Sequence, residues 1–466
     1  MLPAAALHAP RSGSRRLAQP PASDPRRRAA GQPSSVLNWD GGCVRGFLTW
    51  HAAEGDLHMR SLLITIAGLA LLAEGAPRTG VEDQPPRKEA RAMWVVRFAL
   101  SSPQAVSRIV QLAKQAGFNA LFVQVRGRGD AYYTGGLEPR AEYLDGQPES
   151  FDPLAQIVRE AHEAGIQVHA WMNVFYCWSG ENAPKSPRHV VNAHPDWLLA
   201  DREGKVNYRT TDSIEGVYID PGNAEARRFV HDVLLDVATR YEVDGIHFDY
   251  IRYPSPDLGF SEYDLAAFRR VVQPTLQAEE RRALDASPDR LIYPHMFPKR
   301  WAQWRRDNVT NLVRSVYEDV KRVKPHLIVS ASTIAWGAYE GFEQSSAYQR
   351  LSQDWFGWLK DGILDLAVPM AYHQDTERFA GWIDAAVRHS CGKQIWAGIG
   401  AYLVGPESTA EKIQAARNLG ADGFSLFSYD AITQNGASSG YLNALSASVL
   451  GQPAFVPPFP FQEAPR

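Results

Sequence analysis

Residues 104–126 read QAVSRIVQLAKQAGFNALFVQVR, and this stretch predicts a helix, a turn and a strand in succession. Apolar residues recur three and four positions apart over residues 104–116, which is the period of an amphipathic helix. Gly117 follows directly and is the residue type expected to end a helix. Residues 119–126 form a short apolar run that is typical of a buried strand.

The same unit of strand, loop and helix recurs eight times along the chain. This alternation predicts a parallel sheet, because parallel strands need crossover connections. Eight units over about 360 residues favour a closed (β/α)8 barrel, the TIM barrel, over an open doubly wound sheet. The predicted strands are residues 91–97, 119–126, 166–174, 244–252, 327–334, 364–372, 394–402 and 423–429. The predicted helices are residues 104–116, 154–164, 224–241, 301–323, 348–359, 377–388, 410–419 and 440–450.

Three predicted loops are long, and all three follow strands. They cover residues 127–150, 175–222 and 253–300. Loops after strands lie on the face of such a barrel where active sites assemble. The sequence therefore predicts a functional site on this face.

The segments outside the barrel predict export. Residues 1–58 are rich in Arg, Pro and Ala without an apolar period, and we interpret them as a disordered leader or a mis-assigned start. Residues 59–75 have a charged start, an apolar stretch and small residues at the end, as in a secretory signal peptide. The alternative is a membrane anchor or a buried helix. Residues 76–89 are predicted to be a linker, residues 90–450 the barrel and residues 451–466 a Pro-rich tail. A periplasmic or extracellular protein with no stable membrane insertion after signal removal is expected.

Composition narrows the class of partner. The formal net charge of −3 shows no basic excess of the kind that indicates nucleic acid. The chain has 13 Trp and 18 Tyr, and sugar rings stack on aromatic faces, so a polysaccharide is the favoured partner. Cys177 and Cys391 are predicted to lie at opposite ends of the barrel, too far apart for a disulfide.

Asp249 is the main candidate for a catalytic residue. It lies near the end of the fourth predicted strand, in the segment DGIHFDYIRYP at residues 244–254. A carboxylate there is costly unless it is used or paired. Glycoside hydrolysis needs two carboxyl groups, one protonated and one ionised. We assign Asp249 as the nucleophile, and the alternative is a structural ion pair with Arg252.

The second carboxylate has several candidates. Asp130, Asp220, Asp375 and Asp430 all follow predicted strands. Asp375 is the first choice as acid/base because it is reachable across the barrel from the fourth strand. It could equally be a helix N-cap or a solvated loop residue.

Polar and aromatic residues at the strand ends form the predicted sugar-binding set. Alternation along the strands places members of this set on shared faces. The alternative is a filled core in which Trp171 is a plug. The set consists of Gln124, Arg126, Tyr132, His169, Trp171, Asn173, His247, Arg252 and Tyr372. No HExxH, CxxC or GxSxG pattern occurs, so no metal ligand, cofactor or serine nucleophile is predicted.

Many short pieces in order resemble the bacterial glycosyl hydrolase-like 10 family, also called DUF187. The resemblance covers about residues 89–430. The matching pieces are residues 89–95, 116–126, 129–133, 151–154, 161–162, 168–173, 218–222, 244–250, 354–355 and 368–372. The resemblance implies a (β/α)8 barrel, export to the cell envelope and action on envelope glycans, and some relatives are similar to enzymes that cut peptidoglycan strands stripped of their peptides. Members often carry two Asp where this chain has Asp249 and Tyr250, so only the first position carries over.

Together these features predict an exported glycoside hydrolase acting on an envelope or extracellular polysaccharide, with peptidoglycan glycan strands as one possible substrate. Two alternatives stay open. A non-catalytic glycan-binding barrel would lack a second carboxylate within about 10 Å of Asp249. A metal-dependent polysaccharide deacetylase would bring His247 and His373 together at Asp249.

Overall fold

The computed structural model describes residues 85–180, 182–206, 208, 214–337 and 341–462. The predicted leader, the predicted signal peptide and most of the predicted linker lie outside these residues. Within the described part of the chain, no helix has the length and apolar character needed to cross a membrane.

Eight parallel strands close into a barrel, as predicted from the repeating unit. Each strand pairs with its neighbours in chain order, and β8 pairs with β1 to close the ring. The barrel strands are β1 Ala90–Val95, β2 Ala120–Arg126, β3 Gln167–Asn173, β4 Gly245–Asp249, β5 Ile328–Ile334, β6 Leu366–Met370, β7 Gln394–Ile399 and β8 Gly423–Leu426.

Eight principal helices surround the barrel. They are α1 Pro103–Gln115, α2 Pro153–Glu163, α3 Ala224–Arg240, α4 Pro298–Val323, α5 Trp355–Lys360, α6 Thr376–Arg388, α7 Pro406–Asn418 and α8 Gly440–Ser448. Glycines end several of them as predicted, and Gly117 after α1 has φ +80°. The helix predicted over residues 348–359 is divided into Ser346–Gln349 and α5. Ser352 has φ +56° between the two pieces, and the Asp354 side chain caps α5 at Gly357 N.

Large side chains fill the interior of the barrel. Trp94, Phe122, Trp171 and Trp396 pack there in one cluster. The His169 ring occupies the space that a side chain at residue 245 would need, because a Cβ added to Gly245 would overlap it. The barrel is therefore a packed core, and only its rim is open to a ligand.

The Pro-rich tail covers the end of the barrel opposite the long loops. Ala454–Phe455 pairs in parallel with Arg87–Lys88, just before β1. Phe459 is buried in the same cluster as the barrel interior. The Gln394 side chain, at the start of β7, donates a hydrogen bond of 2.9 Å to the Pro457 carbonyl. These contacts occupy the N-terminal end of the barrel, whereas the long loops lie at its C-terminal end.

The long loops carry their own secondary structure. In the loop after β3, Tyr176–Trp178 pairs antiparallel with Val217–Tyr218, and this pair is called the β3 hairpin below. The loop after β4 contains helices Glu262–Val272, Ala278–Asp285 and Ile292–Met296. Cys177 lies in the β3 hairpin and Cys391 lies before β7, and neither forms a disulfide.

Candidate active site

Asp249 is the last residue of β4 and lies at the mouth of the barrel, with 8% of its surface exposed. Its Oδ1 accepts a hydrogen bond of 2.7 Å from the Tyr250 amide, and its Oδ2 accepts one of 3.2 Å from Trp171 Nε1. Burial raises the pKa of Asp249 from 3.8 to about 6, and these hydrogen bonds and the charge of Arg252 offset only part of that effect. A carboxyl group of this kind exchanges its proton near neutral pH, as a general acid must.

Trp171 and Asn173 extend from β3 beside Asp249. Trp171 Nε1 also donates to Asn173 Oδ1 at 3.0 Å, so one indole N–H joins the two side chains. Gln124 Nε2 donates to the same Asn173 oxygen at 3.3 Å, and Asn173 Nδ2 donates to the Gly127 carbonyl at 2.8 Å. All three side chains are almost completely buried. The structure therefore brings Gln124, Trp171 and Asn173 together with Asp249, and the two amides hold the indole in place.

Arg252 and Glu215 form the wall of the mouth next to Asp249. Arg252 Nη2 lies 3.2 Å from Glu215 Oε1, and its guanidinium lies 4.9 Å from the centre of the Tyr250 ring. The Tyr218 hydroxyl donates to Glu215 Oε2 at 2.7 Å. Burial by itself would raise the pKa of Glu215, but the charge of Arg252 and the Tyr218 hydrogen bond bring it below its usual value. Glu215 was missed by the sequence analysis because the β3 hairpin that positions it has no local periodic signal.

Partly exposed aromatic rings surround the mouth. Tyr372, which follows β6, packs edge-on against Trp94 and also contacts Phe427. Tyr402, after β7, contacts both Tyr372 and Phe427 and is 53% exposed. Phe98, Tyr143 and Trp336 are further exposed rings in segments that follow barrel strands. Aromatic faces of this kind suit the stacking of sugar rings.

Arg126 and Tyr132 are not placed for direct contact with a sugar, which corrects their predicted role. The Arg126 side chain is fully buried in an ion pair of 2.6 Å with Glu138, and it also donates to the carbonyls of Asn173 and Val174. Tyr132 is buried in the main hydrophobic core. Strand alternation predicted that Arg126 shares a face with Gln124, but a register shift between them pairs Gln124 with Trp171 and Arg126 with Met172. Met172 packs in the core outside the barrel, whereas Trp171 packs inside it.

His169 and His247 lie inside the barrel, so their predicted sugar-binding role is also corrected. His247 is fully buried, with Nδ1 2.8 Å from Ser330 Oγ and Nε2 2.8 Å from Ser332 Oγ. His169 is fully buried as well, and burial lowers its pKa to about 4. Both rings pack against Phe122, so they belong to the barrel core.

Asp375 is the N-cap of α6, which was the alternative interpretation of this residue. Its Oδ1 accepts a hydrogen bond of 2.9 Å from the Arg378 amide, and this bond helps to lower its pKa. The residue is exposed to solvent. A general acid needs a raised pKa. The predicted acid/base role of Asp375 is therefore corrected.

The other candidates for the second carboxylate, Asp130, Asp220 and Asp430, lie in turns, in a short helix or in buried contacts of the fold. Asp220 is fully buried beside Asp264, and Ser261 Oγ donates to Asp220 Oδ2 at 3.1 Å. Burial and the neighbouring charge of Asp220 raise the pKa of Asp264 well above its usual value. Asp130 accepts a hydrogen bond of 2.8 Å from the Arg128 amide within its own turn. Asp430 lies in the first turn of the short helix Tyr429–Thr433.

The part of the chain that the structure describes contains no group of three or more His, Cys, Asp or Glu side chains that could hold a metal ion. His373, which the deacetylase alternative requires, packs edge-on against Trp382, and its Nδ1 accepts from the Asp375 amide at 3.0 Å. His247 is held by two serines as described above.

Comparison with known proteins agrees with this fold. The sequence model described as Glycosyl hydrolase-like 10 matches residues 89–417. The chain belongs to this glycosyl hydrolase-like 10 family. The family match spans β1 to α7 and includes Asp249, Trp171, Asn173 and Glu215.

Two named relatives are similar over most of their length. The chain is 24% identical over 415 residues to Glycosyl hydrolase YngK of Bacillus subtilis, covering 80% of this chain and 74% of that protein. It is 25% identical over 348 residues to Glycosyl hydrolase DigH of Escherichia coli strain K12, covering 67% of this chain and 70% of that protein.

Solved structures of glycoside hydrolases share the fold. The glycoside hydrolase domain of PgaB (BpsB) from Bordetella bronchiseptica aligns with a TM-score of 0.55 at 14% identity, over 77% of this chain and 99% of that one. The catalytic domain of β-amylase from Paenibacillus polymyxa aligns with a TM-score of 0.56 at 13% identity, over 78% and 99%. The family and the fold together support a glycan-related hydrolase.

Proposed function

We propose that this protein is an exported glycoside hydrolase that cleaves glycosidic bonds in an envelope or extracellular polysaccharide. One observation carries the proposal. Asp249 is a nearly buried carboxyl group at the mouth of the barrel, with a pKa near 6 and a hydrogen bond to an indole. The aromatic rings around that mouth supply surfaces on which sugar rings can stack.

Asp249 fits the role of the acid better than that of the nucleophile assigned from the sequence. A pKa of about 6 leaves a large fraction of the carboxyl groups protonated in mildly acidic solution. Cleavage of a glycosidic bond requires a proton on the departing oxygen, and a buried carboxyl group with a raised pKa supplies it. We therefore assign the proton donation to Asp249.

Peptidoglycan glycan strands are the proposed first substrate. The support is the family membership together with the secretory pattern of residues 59–75, which would place the protein in the periplasm or outside the cell. No cofactor enters the proposed reaction, since water and two carboxyl groups suffice for glycoside hydrolysis.

The test is the release of reducing ends from purified peptidoglycan, both with stem peptides and stripped of them. We expect cleavage by the wild-type protein and its loss in Asp249→Asn. Asp361→Asn is a matched control, because Asp361 pairs with Arg314 at 2.7 Å between the outer helices α4 and α5. Turnover by Asp249→Asn at the wild-type rate would refute the assignment. Release of acetate without new reducing ends, abolished by chelation, would favour the deacetylase alternative instead.

A further inference from the structure

We infer that Glu215 is the second carboxylate of the active site and activates the water that attacks the sugar, opposite Asp249. This inference rests on the proposed glycoside hydrolase function. It assigns a residue that the strand pattern of the sequence did not indicate.

The backbone around Asp249 holds the β3 hairpin beside it. The Val174 amide donates to the Asp249 carbonyl at 2.7 Å, so the chain leaving β3 runs next to the end of β4. The Ile219 amide donates to the Phe175 carbonyl at 2.7 Å. Glu215 lies four residues before Ile219 and two residues before the hairpin strand Val217–Tyr218. These backbone hydrogen bonds hold the second strand of the β3 hairpin, which Glu215 precedes by two residues, near the end of β4.

Two side chains fix the Glu215 carboxylate in one orientation. Arg252 approaches Oε1 at 3.2 Å, and the buried Tyr218 hydroxyl donates to Oε2 at 2.7 Å. The Tyr218 ring in turn packs against Tyr250, the residue that follows Asp249. The Glu215 side chain is nevertheless 45% exposed, whereas that of Arg252 is 10% exposed. Water can therefore reach a carboxylate that is already oriented.

The two carboxyl groups have opposite electrostatic surroundings. Burial keeps the pKa of Asp249 raised, and the charge of Glu215 raises it further. Arg252 and Tyr218 lower the pKa of Glu215. A pair whose surroundings separate the two pKa values in this way has one protonated and one ionised member at the same pH. Glycoside hydrolysis uses such a pair.

The reaction follows directly from this assignment. Asp249 transfers its proton to the glycosidic oxygen as the bond from that oxygen to C1 breaks. The Glu215 carboxylate removes a proton from a water molecule, whose oxygen forms the new bond to C1 from the opposite face. The products are two hydroxyl-terminated sugars, and proton exchange with solvent returns the proton from Glu215 to Asp249. Attack by water from the opposite face inverts the anomeric configuration.

The test uses peptidoglycan glycan strands stripped of stem peptides and compares the wild-type protein with Glu215→Gln. We expect kcat to fall by about 100- to 10,000-fold, the usual contribution of a general base, with KM within about threefold. The alkaline limb of the residual pH profile should move to lower pH, because the charge that raises the pKa of Asp249 is gone. Azide added to Glu215→Ala should restore turnover and give a glycosyl azide of inverted configuration.

A matched control separates this result from a general effect of losing an ion pair. Glu242→Gln removes a carboxylate that lies 2.9 Å from Lys324 Nζ, before β4 at the other end of the strand. Its kcat should equal that of the wild-type protein. The anomeric configuration of the first wild-type product, measured by NMR, needs no variant and should be inverted.

Three outcomes are distinguishable. If the wild-type protein releases no reducing ends, the proposed function fails and the inference with it. If Asp249→Asn is inactive while Glu215→Gln keeps kcat within about threefold, a loss far below that expected of a base, only the inference fails. A wild-type product that retains its configuration also overturns the role of Glu215 as the base.

Discussion

Replacing Asp249 with Asn should make the folded protein more stable at neutral pH, relative to the wild-type protein, even though it removes the catalytic acid. The reason is the burial of the carboxyl group at the end of β4. Near neutral pH the wild-type protein must hold a charge in a site that disfavours it, and the neutral amide avoids that cost. The effect should depend strongly on pH.

The size of the effect follows from the shift in pKa. The pKa of Asp249 rises from 3.8 to about 6, and each unit corresponds to about 1.4 kcal/mol. The folded form therefore binds the proton more tightly than the unfolded form. The favourable contribution is fully present below pH 3.8 and is lost as the pH rises through about 6. The full difference is about 3 kcal/mol, of which about 2.5 kcal/mol falls between pH 4 and pH 7.5.

Urea unfolding followed by Trp fluorescence at both pH values measures this difference. The free energy of unfolding of Asp249→Asn minus that of the wild-type protein should increase by about 2.5 kcal/mol from pH 4 to pH 7.5. Any constant cost of fitting the amide beside Trp171 cancels in this comparison. Asp375→Asn is a control in which the same difference should change in the opposite direction. The reason is that the pKa of Asp375 is lowered in the folded protein, whereas that of Asp249 is raised. A difference that stays the same at both pH values would refute the reasoning.

Three further predictions follow from the site. The wild-type kcat/KM should decline as the pH rises through about 6, because only protonated Asp249 donates a proton, and a pH–rate profile measures it. Tyr402→Ala should raise KM about fivefold, because an exposed stacking surface contributes about 1 kcal/mol to binding. Its kcat and melting temperature should stay unchanged, which steady-state kinetics and a thermal melt measure. Glu138→Gln should destabilise the fold by about 3–5 kcal/mol in urea unfolding, because it leaves Arg126 buried without its partner.

Each of these has a clear contrary result. A kcat/KM that is flat from pH 5 to pH 8 would remove Asp249 as the acid. A Tyr402→Ala variant with a lowered kcat and unchanged KM would mean that the ring acts in the reaction rather than in binding. If the free energy of unfolding of Glu138→Gln equals that of the wild-type protein, Arg126 finds other acceptors and is not held by this ion pair.

The sequence predicted the architecture because each unit of the barrel is specified locally. Residues 104–126 contain the helix period, the capping Gly117 and the strand in one continuous stretch, and the structure places α1 and β2 within one residue of the predicted bounds. Residues 348–359 are the exception. Their apolar spacing suits a helix, but the left-handed backbone at Ser352 and the cap at Asp354 divide it.

In β3 and β4, strand alternation predicted which residues face the interior but not how deep they lie. Trp171, Asn173 and Asp249 are at the ends of their strands and reach the mouth. His169 and His247 share the same faces two or more residues earlier, and there the packed interior surrounds them. A period of two residues contains no information about height along the barrel axis.

Loop carboxylates were the hardest to predict, because long-range partners decide their roles. Nothing near Arg126 in the strand indicates that Glu138 will bury it. Asp375 has the sequence context of both an active-site acid and a helix cap, and only the contact with the Arg378 amide decides between them. Glu215 depends on the β3 hairpin, whose strands are about 40 residues apart in sequence, so local patterns could not indicate it.

The buried carboxylates of this chain differ in how their charge is offset, and the difference points to function. Glu89 receives hydrogen bonds from Arg91 and Arg417, and Glu138 receives two from Arg126, so each is paired directly with arginine inside the fold. Asp249 receives its hydrogen bonds from an indole and a peptide amide, which stabilise a charge less than an arginine does. Arg252 lowers the pKa of Asp249 but donates its hydrogen bond to Glu215. A fold that only needed stability would pair Asp249 directly with Arg252, and the observed division leaves one proton available at the mouth.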